Sequence, residues 1–101
     1  MVIPRTIKVG PHTYTVVRKT AEEMPDSLGS CEFDDLQIWI RKRLRTSKAK
    51  EILLHEVLHA CTHPTMNCSG DHSDEDFVAA VAPVLLEVML ENPKLVEYLT
   101  K

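Results

Sequence analysis

One helical segment constrains this chain more than any other part of it. Residues 47–63, SKAKEILLHEVLHACTH, contain His55 and His59 four positions apart, with Glu56 directly after the first histidine. In an α-helix, residues four apart lie one turn apart on the same side, so both imidazoles can bind one metal ion. Glu56 projects about 100° round the helix axis from His55, where a carboxylate can act on a water molecule without binding the metal. This HExxH pattern therefore predicts a metal site with a base beside it.

The residues around the two histidines favour a metal site over two ordinary histidines at a helix border. Apolar residues recur at the spacing of one helix face, at Leu54, Val57, Leu58 and Cys61. This face is expected to pack against a core. His55 and His59 lie one position along from it, at the border between core and solvent. A metal site that is open to a substrate requires that border.

The ends of this HExxH helix are marked by residues with known capping and breaking behaviour. Thr46 or Ser47 offers an N-cap, and Pro64 is expected to end the helix at His63. The preceding segment, residues 41–50, is rich in lysine and arginine. It can be read as a phosphate-contacting patch, but it lacks interleaved aromatic or glycine residues, so we favour a solvated connection between a strand and the helix.

Length and composition predict one domain spanning residues 1–101. With 101 residues, 44% of them apolar, the chain can bury one modest core. The net charge of −3 gives no general attraction to nucleic acid or to an anionic membrane. No apolar run approaches the roughly 20 residues needed to span a bilayer. The N-terminus lacks the apolar segment of a signal peptide, and three cysteines cannot all pair within one chain. We therefore expect a reducing compartment, by default the cytoplasm.

Two strand pairs are predicted before the HExxH helix from alternating apolar and polar residues. They comprise residues 6–9 and 13–18, joined by a turn at 10–12, and residues 31–33 and 36–41, joined at Asp34 and Asp35. The polar segment 20–30 between the pairs is expected to be a loop or a single helical turn. The strands predict a small antiparallel sheet of three or four strands.

A second long helix is predicted after the loop formed by residues 64–72. Its expected buried face consists of Val78, Val81, Ala82, Leu85 and Met89. Pro83 interrupts this pattern and should kink the helix, and Asn92 with Pro93 should end it. The fold class is therefore α+β, in which a small sheet packs with the HExxH helix and a second long helix.

A catalytic zinc ion needs a third protein ligand and an open position. The histidine that metzincins place six residues after the second histidine is replaced by Thr65, which excludes that class. The remaining candidates for the third ligand are His63, His72, Asp74 and Glu75. Glu75 is preferred because it would lie in line with Val78 and Ala82 in the first turn of the second helix. A carboxylate at the start of a buried apolar face is unfavourable unless it is paired, and a bound metal ion would pair it.

The two segments LLHEVLHA and DEDFVAAVAPVLLEVMLENP resemble the small gluzincin-type metallopeptidases of phages and other mobile elements. The resemblance covers about the last half of the chain, whereas the sheet is similar only in pattern. It implies a zincin-like fold with Zn²⁺ bound by His55, His59 and Glu75, and with Glu56 as the general base. It also implies hydrolysis of a protein or peptide substrate, in the host cytoplasm if a phage encodes the chain.

Several assignments stay open at this point. The residue that stabilises the oxyanion is not fixed by any motif, and its candidates are His63, His72 and Tyr98. The substrate backbone is expected to pair with the strand at residues 37–40, just before the helix. The alternatives to a peptidase are an interaction protein that binds zinc without turnover and a structural zinc module. The module would draw on His55, His59, Cys61, His63, Cys68 and His72. The oligomeric state is left open.

Overall fold

The computed structural model describes residues 2–66 and 74–101, and the side chains of residues 64–66, 74–76 and 78 fall outside this description. Within these ranges the chain forms four strands followed by three helices. In chain order they are β1 (Thr6–Val9), β2 (His12–Lys19), β3 (Gly29–Glu32), β4 (Gln37–Arg41), α1 (Thr46–Met66), α2 (Asp74–Glu91) and α3 (Pro93–Thr100). The expected α+β class is confirmed.

The four strands form one mixed sheet in the order β1-β2-β4-β3. The two predicted pairs are confirmed, since β1 pairs with β2 and β3 pairs with β4, both antiparallel. The expectation of a wholly antiparallel sheet is wrong, because β2 and β4 pair in parallel. A short turn forces neighbouring strands to be antiparallel, but β2 and β4 are separated by residues 20–36, which is long enough for a parallel return. As a result β4 lies inside the sheet and β3 forms one of its edges.

The helix α1 packs on the sheet through a face that differs by one position from the predicted one. The buried residues of this helix are Ala49, Leu53, Glu56, Val57, Ala60 and Cys61. Val57 and Cys61 were predicted correctly, but Leu54 is 39% exposed. The buried face is therefore turned by about 100°, the angle of one residue, towards Leu53.

The predicted end of α1 is also wrong, because the helix continues through Pro64 to Met66. A proline removes one backbone N–H and with it one helical hydrogen bond. Near the end of a long helix the loss of one such bond is tolerated, so the helix is extended by three residues beyond His63.

The helix α2 contains Pro83 and ends at Glu91, as expected. Its buried side chains include Val81 and Val88, whereas Ala82 and Met89, predicted to be buried, are exposed. Asn92 then joins this helix to the sheet. Its side-chain oxygen accepts the N–H of Lys8 at 2.9 Å, and its side-chain nitrogen donates to the Lys8 carbonyl at 2.8 Å. The side chain of Asn92 thus occupies hydrogen-bonding positions on the edge strand β1.

The core lies between the sheet and the helices. Its fully buried side chains include Ile7, Ile38 and Ile40 of the sheet, Leu53 and Val57 of α1, Val88 of α2 and Leu95 of α3. The short last helix α3 contributes Leu95 and Tyr98 to this core. In the part of the chain that the structure describes, no helix has the length and apolar character needed to cross a membrane.

Candidate metal centre

The two histidines of the HExxH pattern converge on one point outside α1. Both side chains are exposed, and their Nε2 atoms lie 3.1 Å apart. The rings of His55 and His59 meet edge to face, with centroids 4.7 Å apart and an interplanar angle of 74°. The one-turn spacing therefore brings the two imidazoles together as the sequence predicted.

This separation fits two ligands of one zinc ion. Two nitrogens bound at about 2.0–2.1 Å to a tetrahedral zinc lie about 3.3 Å apart. A direct hydrogen bond between the rings gives a similar distance when one Nε2 carries the proton and the other accepts it. Imidazole nitrogens are common zinc ligands, so the geometry and the chemistry of this donor pair both suit zinc.

Glu56 lies beside the histidines but is buried, with 6% of its surface exposed. Among the residues whose burial the structure describes, Glu56 is the only charged one that is buried. Burial raises the pKa of the Glu56 carboxyl, and the charges of His55 and His59 lower it to a smaller extent. A carboxyl group with a raised pKa is better matched to accepting a proton at neutral pH than an ordinary glutamate.

The three residues of the pattern share a shallow pocket of about 340 Å³. The strand β3 forms its other wall, and the residues from this side are Gly29, Ser30, Cys31 and Phe33. Two of the larger hollows, of about 520 and 690 Å³, contain no histidine, and a third, of about 400 Å³, contains only His63 of this residue type. We place the site in the smaller pocket because the histidine pair and a buried carboxylate meet there.

Cys31 brings a thiol into this pocket. Burial first, and then the negative charges of Glu56 and Glu32, raise the pKa of the Cys31 thiol to about 12. In the metal-free protein the thiol is therefore protonated at neutral pH, whereas a nucleophile must be a thiolate. In this geometry Cys31 is a neutral part of the pocket wall.

The third ligand remains a prediction. Glu75 lies in the first turn of α2, which packs against α1, but its side chain and that of Asp74 lie outside the described residues, as does all of His72. Among the side chains that are described, no three of the types His, Cys, Asp and Glu are grouped to hold a metal ion. Ala82 is exposed, so the argument that placed Glu75 on a buried face does not hold. Glu75 is now supported by the resemblance alone.

Two other candidates lie away from the histidine pair. The ring of His63 stacks on Phe33, with centroids 3.8 Å apart and an interplanar angle of 10°. His63 lines a neighbouring hollow and not the pocket of His55 and His59, whereas Phe33 borders both. Tyr98 is 5% exposed in the core, where Lys50 lies 5.8 Å from the centre of its ring. The structure therefore places neither His63 nor Tyr98 where it could stabilise an oxyanion beside Glu56.

The strand chosen from the sequence for substrate pairing is wrong. Residues 37–40 belong to β4, whose two edges are already hydrogen-bonded to β2 and β3. The edge strand beside the histidines is β3. A glycine in a strand often marks a close approach of another element, but residues 20–30 were expected to be a loop, so the sequence did not reveal that Gly29 begins this strand.

No protein-family model, no curated protein and no solved structure matches this chain.

Proposed function

We propose that this chain is a zinc-dependent metallopeptidase of a minimal, zincin-like kind, which hydrolyses peptide bonds in a protein or peptide. The observation that carries the proposal is the pocket in which two histidine Nε2 atoms lie 3.1 Å apart beside the buried carboxylate of Glu56. Either feature alone is common in proteins. Their combination provides a metal-binding pair and a base within one small pocket.

The metal would be held by His55 and His59, with Glu75 as the third ligand that the resemblance to gluzincin-type peptidases implies. When bound, zinc supplies an acidified water molecule and a positive charge that polarises the scissile carbonyl. The exposure of the two imidazoles leaves room for a substrate on the solvent side of the site. An open site of this kind is typical of catalytic zinc, whereas structural zinc is enclosed by four protein ligands.

Glu56 acts as the general base. Its carboxylate takes a proton from the attacking water and gives it to the leaving amine as the peptide bond breaks. The packing of α1 against β3 keeps this carboxylate largely away from bulk solvent, which raises its pKa and so its ability to accept the proton.

The substrate backbone would pair with the edge strand β3. This strand is hydrogen-bonded to β4 on one side, and residues Gly29–Cys31 line the pocket. An extended peptide added to this edge would bring one of its carbonyl groups to the histidine pair. Recognition by backbone hydrogen bonds limits the dependence on substrate sequence.

The second candidate function is an interaction protein that binds zinc and an extended peptide without hydrolysing it. The same edge of β3 supports it, because strand addition needs no catalytic base. A structural zinc module receives less support, since Cys61 is completely buried and His63 stacks on Phe33. For either candidate we propose the cytoplasm as the location, that of the host if the chain is encoded by a phage.

A comparison of the zinc-bound protein with its Glu56→Gln variant tests the function. Glutamine keeps the shape of the side chain but cannot accept the proton, so we expect equal zinc content and a loss of turnover of about a hundredfold or more. Turnover is measured on a library of quenched fluorescent peptides. If the unmodified protein binds zinc but cleaves none of the peptides, the interaction protein is the better account. Undiminished turnover by the variant excludes Glu56 as the base.

A further inference from the structure

The first residue of β3 lies closer to α1 than a side chain would permit. A Cβ atom added to Gly29 would lie 2.5 Å from Cγ2 of Ile52 and 3.1 Å from Oε2 of Glu56. Real Cβ atoms essentially never approach another heavy atom to less than 3.0 Å. The backbone of β3 therefore reaches this position only because residue 29 is glycine.

The need for glycine at this position is a matter of space. Gly10 has a φ of +60°, a conformation that favours glycine, whereas the φ of Gly29 is not positive. An alanine can therefore adopt the backbone conformation of residue 29. Its methyl group, however, has no space between β3 and α1.

The two side chains that an added methyl group would meet differ in their freedom to move. Ile52 and Glu56 lie one turn apart on α1, directly under Gly29. Isoleucine is branched at Cβ and is held in one preferred rotamer in a helix. The 2.5 Å contact with Ile52 would therefore force β3 away from α1, and the carboxylate of Glu56, 3.1 Å from the new methyl group and on three rotatable bonds, would lose its buried position between them.

We propose that Gly29 is a positioning residue for Glu56. Because residue 29 has no side chain, the carboxylate of Glu56 fits between β3 and α1 in the orientation that catalysis needs. This inference rests on the proposed function for its catalytic part. The packing part stands on the distances around Gly29 alone. His55 and His59 are exposed and are not among the atoms nearest to Gly29. A substitution at this position should therefore disturb the base and leave zinc binding intact.

The packing part can be tested without zinc or turnover, by chemical labelling of carboxyl groups followed by mass spectrometry. In the unmodified protein the buried Glu56 should react with a carbodiimide and an amine far more slowly than exposed carboxyl groups. Gly29→Ala should increase the labelling rate of Glu56 several-fold, because the carboxylate is displaced from its buried position between β3 and α1. An unchanged rate at Glu56 in the folded variant would overturn the inference.

Gly10→Ala is the matched control. It places the same methyl group on a glycine of the β1–β2 turn, where nothing lies within 4 Å, and its positive φ makes the variant less stable. Both variants should lose several degrees of melting temperature. The labelling rate of Glu56 should rise in Gly29→Ala alone. An equal rise in both variants would show that general loosening of the fold is the cause.

A double variant keeps the test valid if Gly29→Ala does not fold. Ile52→Ala removes the Cγ2 atom that the new methyl group would meet. Gly29→Ala should therefore lower the melting temperature less in the Ile52→Ala background than in the unmodified protein, and if Gly29→Ala alone does not fold, the double variant should. Equal losses in the two backgrounds would contradict the proposed contact.

The catalytic part is tested by steady-state kinetics on a peptide that the unmodified protein cleaves. For Gly29→Ala we expect unchanged zinc content and a kcat lower by about tenfold or more, with a smaller change in KM, which reflects the role of β3 as the proposed substrate edge. Gly10→Ala should keep its kcat. Loss of zinc, or a full kcat in Gly29→Ala, would overturn the positioning role. If the unmodified protein binds no zinc and has no turnover, the proposed function fails and the catalytic part fails with it, while the labelling result still decides the packing part.

Discussion

At the scale of single residues, the site depends on a carboxylate that is held out of water between β3 and α1, beside two exposed histidines. Glu56 is 6% exposed, and burial raises its pKa above the ordinary value of 4.5. Between the ordinary and the raised value, the folded protein binds a proton that the unfolded chain has lost. The free energy of unfolding must therefore fall as the pH rises through this interval.

The first prediction concerns the loss of stability that the buried, ionised carboxylate of Glu56 causes in the metal-free protein. Glu56→Gln removes the ionised carboxylate and keeps its shape, so the variant should melt at a higher temperature than the original protein at pH 7–8 in the presence of a chelator. The advantage should shrink as the pH falls to about 4, where the carboxyl group is protonated in both states. Melting curves recorded across this pH range would contradict the argument if the difference were absent at pH 8 or independent of pH.

The residues that sequence reasoning placed correctly are those whose relation is local. His55, Glu56 and His59 lie on one helix, where spacing alone determines direction. Gly29 and Phe33 were missed because they reach the pocket only when β3 packs beside α1, which is a contact between distant parts of the chain. The alternation of strand residues predicts which face is buried, but it does not predict the neighbour.

At the scale of the elements, local patterns also do not determine which face of α1 is buried, here called the phase of the helix. Residues 52–54 are all apolar, so the hydrophobic spacing fits a buried face that begins at Leu53 as well as one that begins at Leu54. The structure selects Leu53, which is fully buried, and leaves Leu54 39% exposed. The choice depends on how the sheet lies against the helix.

The second prediction uses this pair of neighbouring leucines. Leu53→Ala removes side-chain contacts in the core and should lower the free energy of unfolding by about 2–5 kcal/mol. Leu54→Ala, the same change one residue further along, should cost less than about 1 kcal/mol. Urea unfolding of both variants measures the difference. A larger loss for Leu54→Ala would mean that the helix packs with the phase that the sequence predicted, and equal losses would contradict the difference in burial between the two leucines.

The third prediction concerns the first turn of α2 and decides which residue completes the site. If Glu75 is the third ligand, Glu75→Ala should weaken zinc binding by two orders of magnitude or more, as loss of a ligand does. Asp74 and Asp76 are the other acidic residues in the first turn of α2, so Asp74→Ala and Asp76→Ala should cost only about 1 kcal/mol of interaction with the helix N-terminus and leave zinc binding nearly unchanged. Zinc affinity is measured by competition with a chromophoric chelator.

His72→Ala and Asp74→Ala are the variants that could reassign this ligand. If either one abolishes zinc binding while Glu75→Ala does not, the gluzincin-like assignment of Glu75 is wrong. The exposure of Ala82 makes this comparison necessary, because the position of Glu75 on a buried face is no longer an argument in its favour.

At the scale of the whole molecule, the parallel pairing of β2 with β4 determines where a substrate can bind. It encloses β4 within the sheet and leaves β3 at the edge, beside the histidine pair. Had the two hairpins joined in a wholly antiparallel sheet through other edges, the edge strand near α1 would have been a different one. The fold class followed from the order of strands and helices, whereas the strand order depends on long-range pairing that local patterns do not encode.

The central claim is that His55 and His59 bind one zinc ion together, and a zinc titration of the metal-free protein tests it most directly. The unmodified protein should bind about one zinc per chain, and its melting temperature should rise on binding, since the ion binds the folded state. His55→Ala and His59→Ala should each abolish stoichiometric binding and the rise in melting temperature. The account is contradicted if the unmodified protein binds no stoichiometric zinc and added zinc leaves its melting curve unchanged.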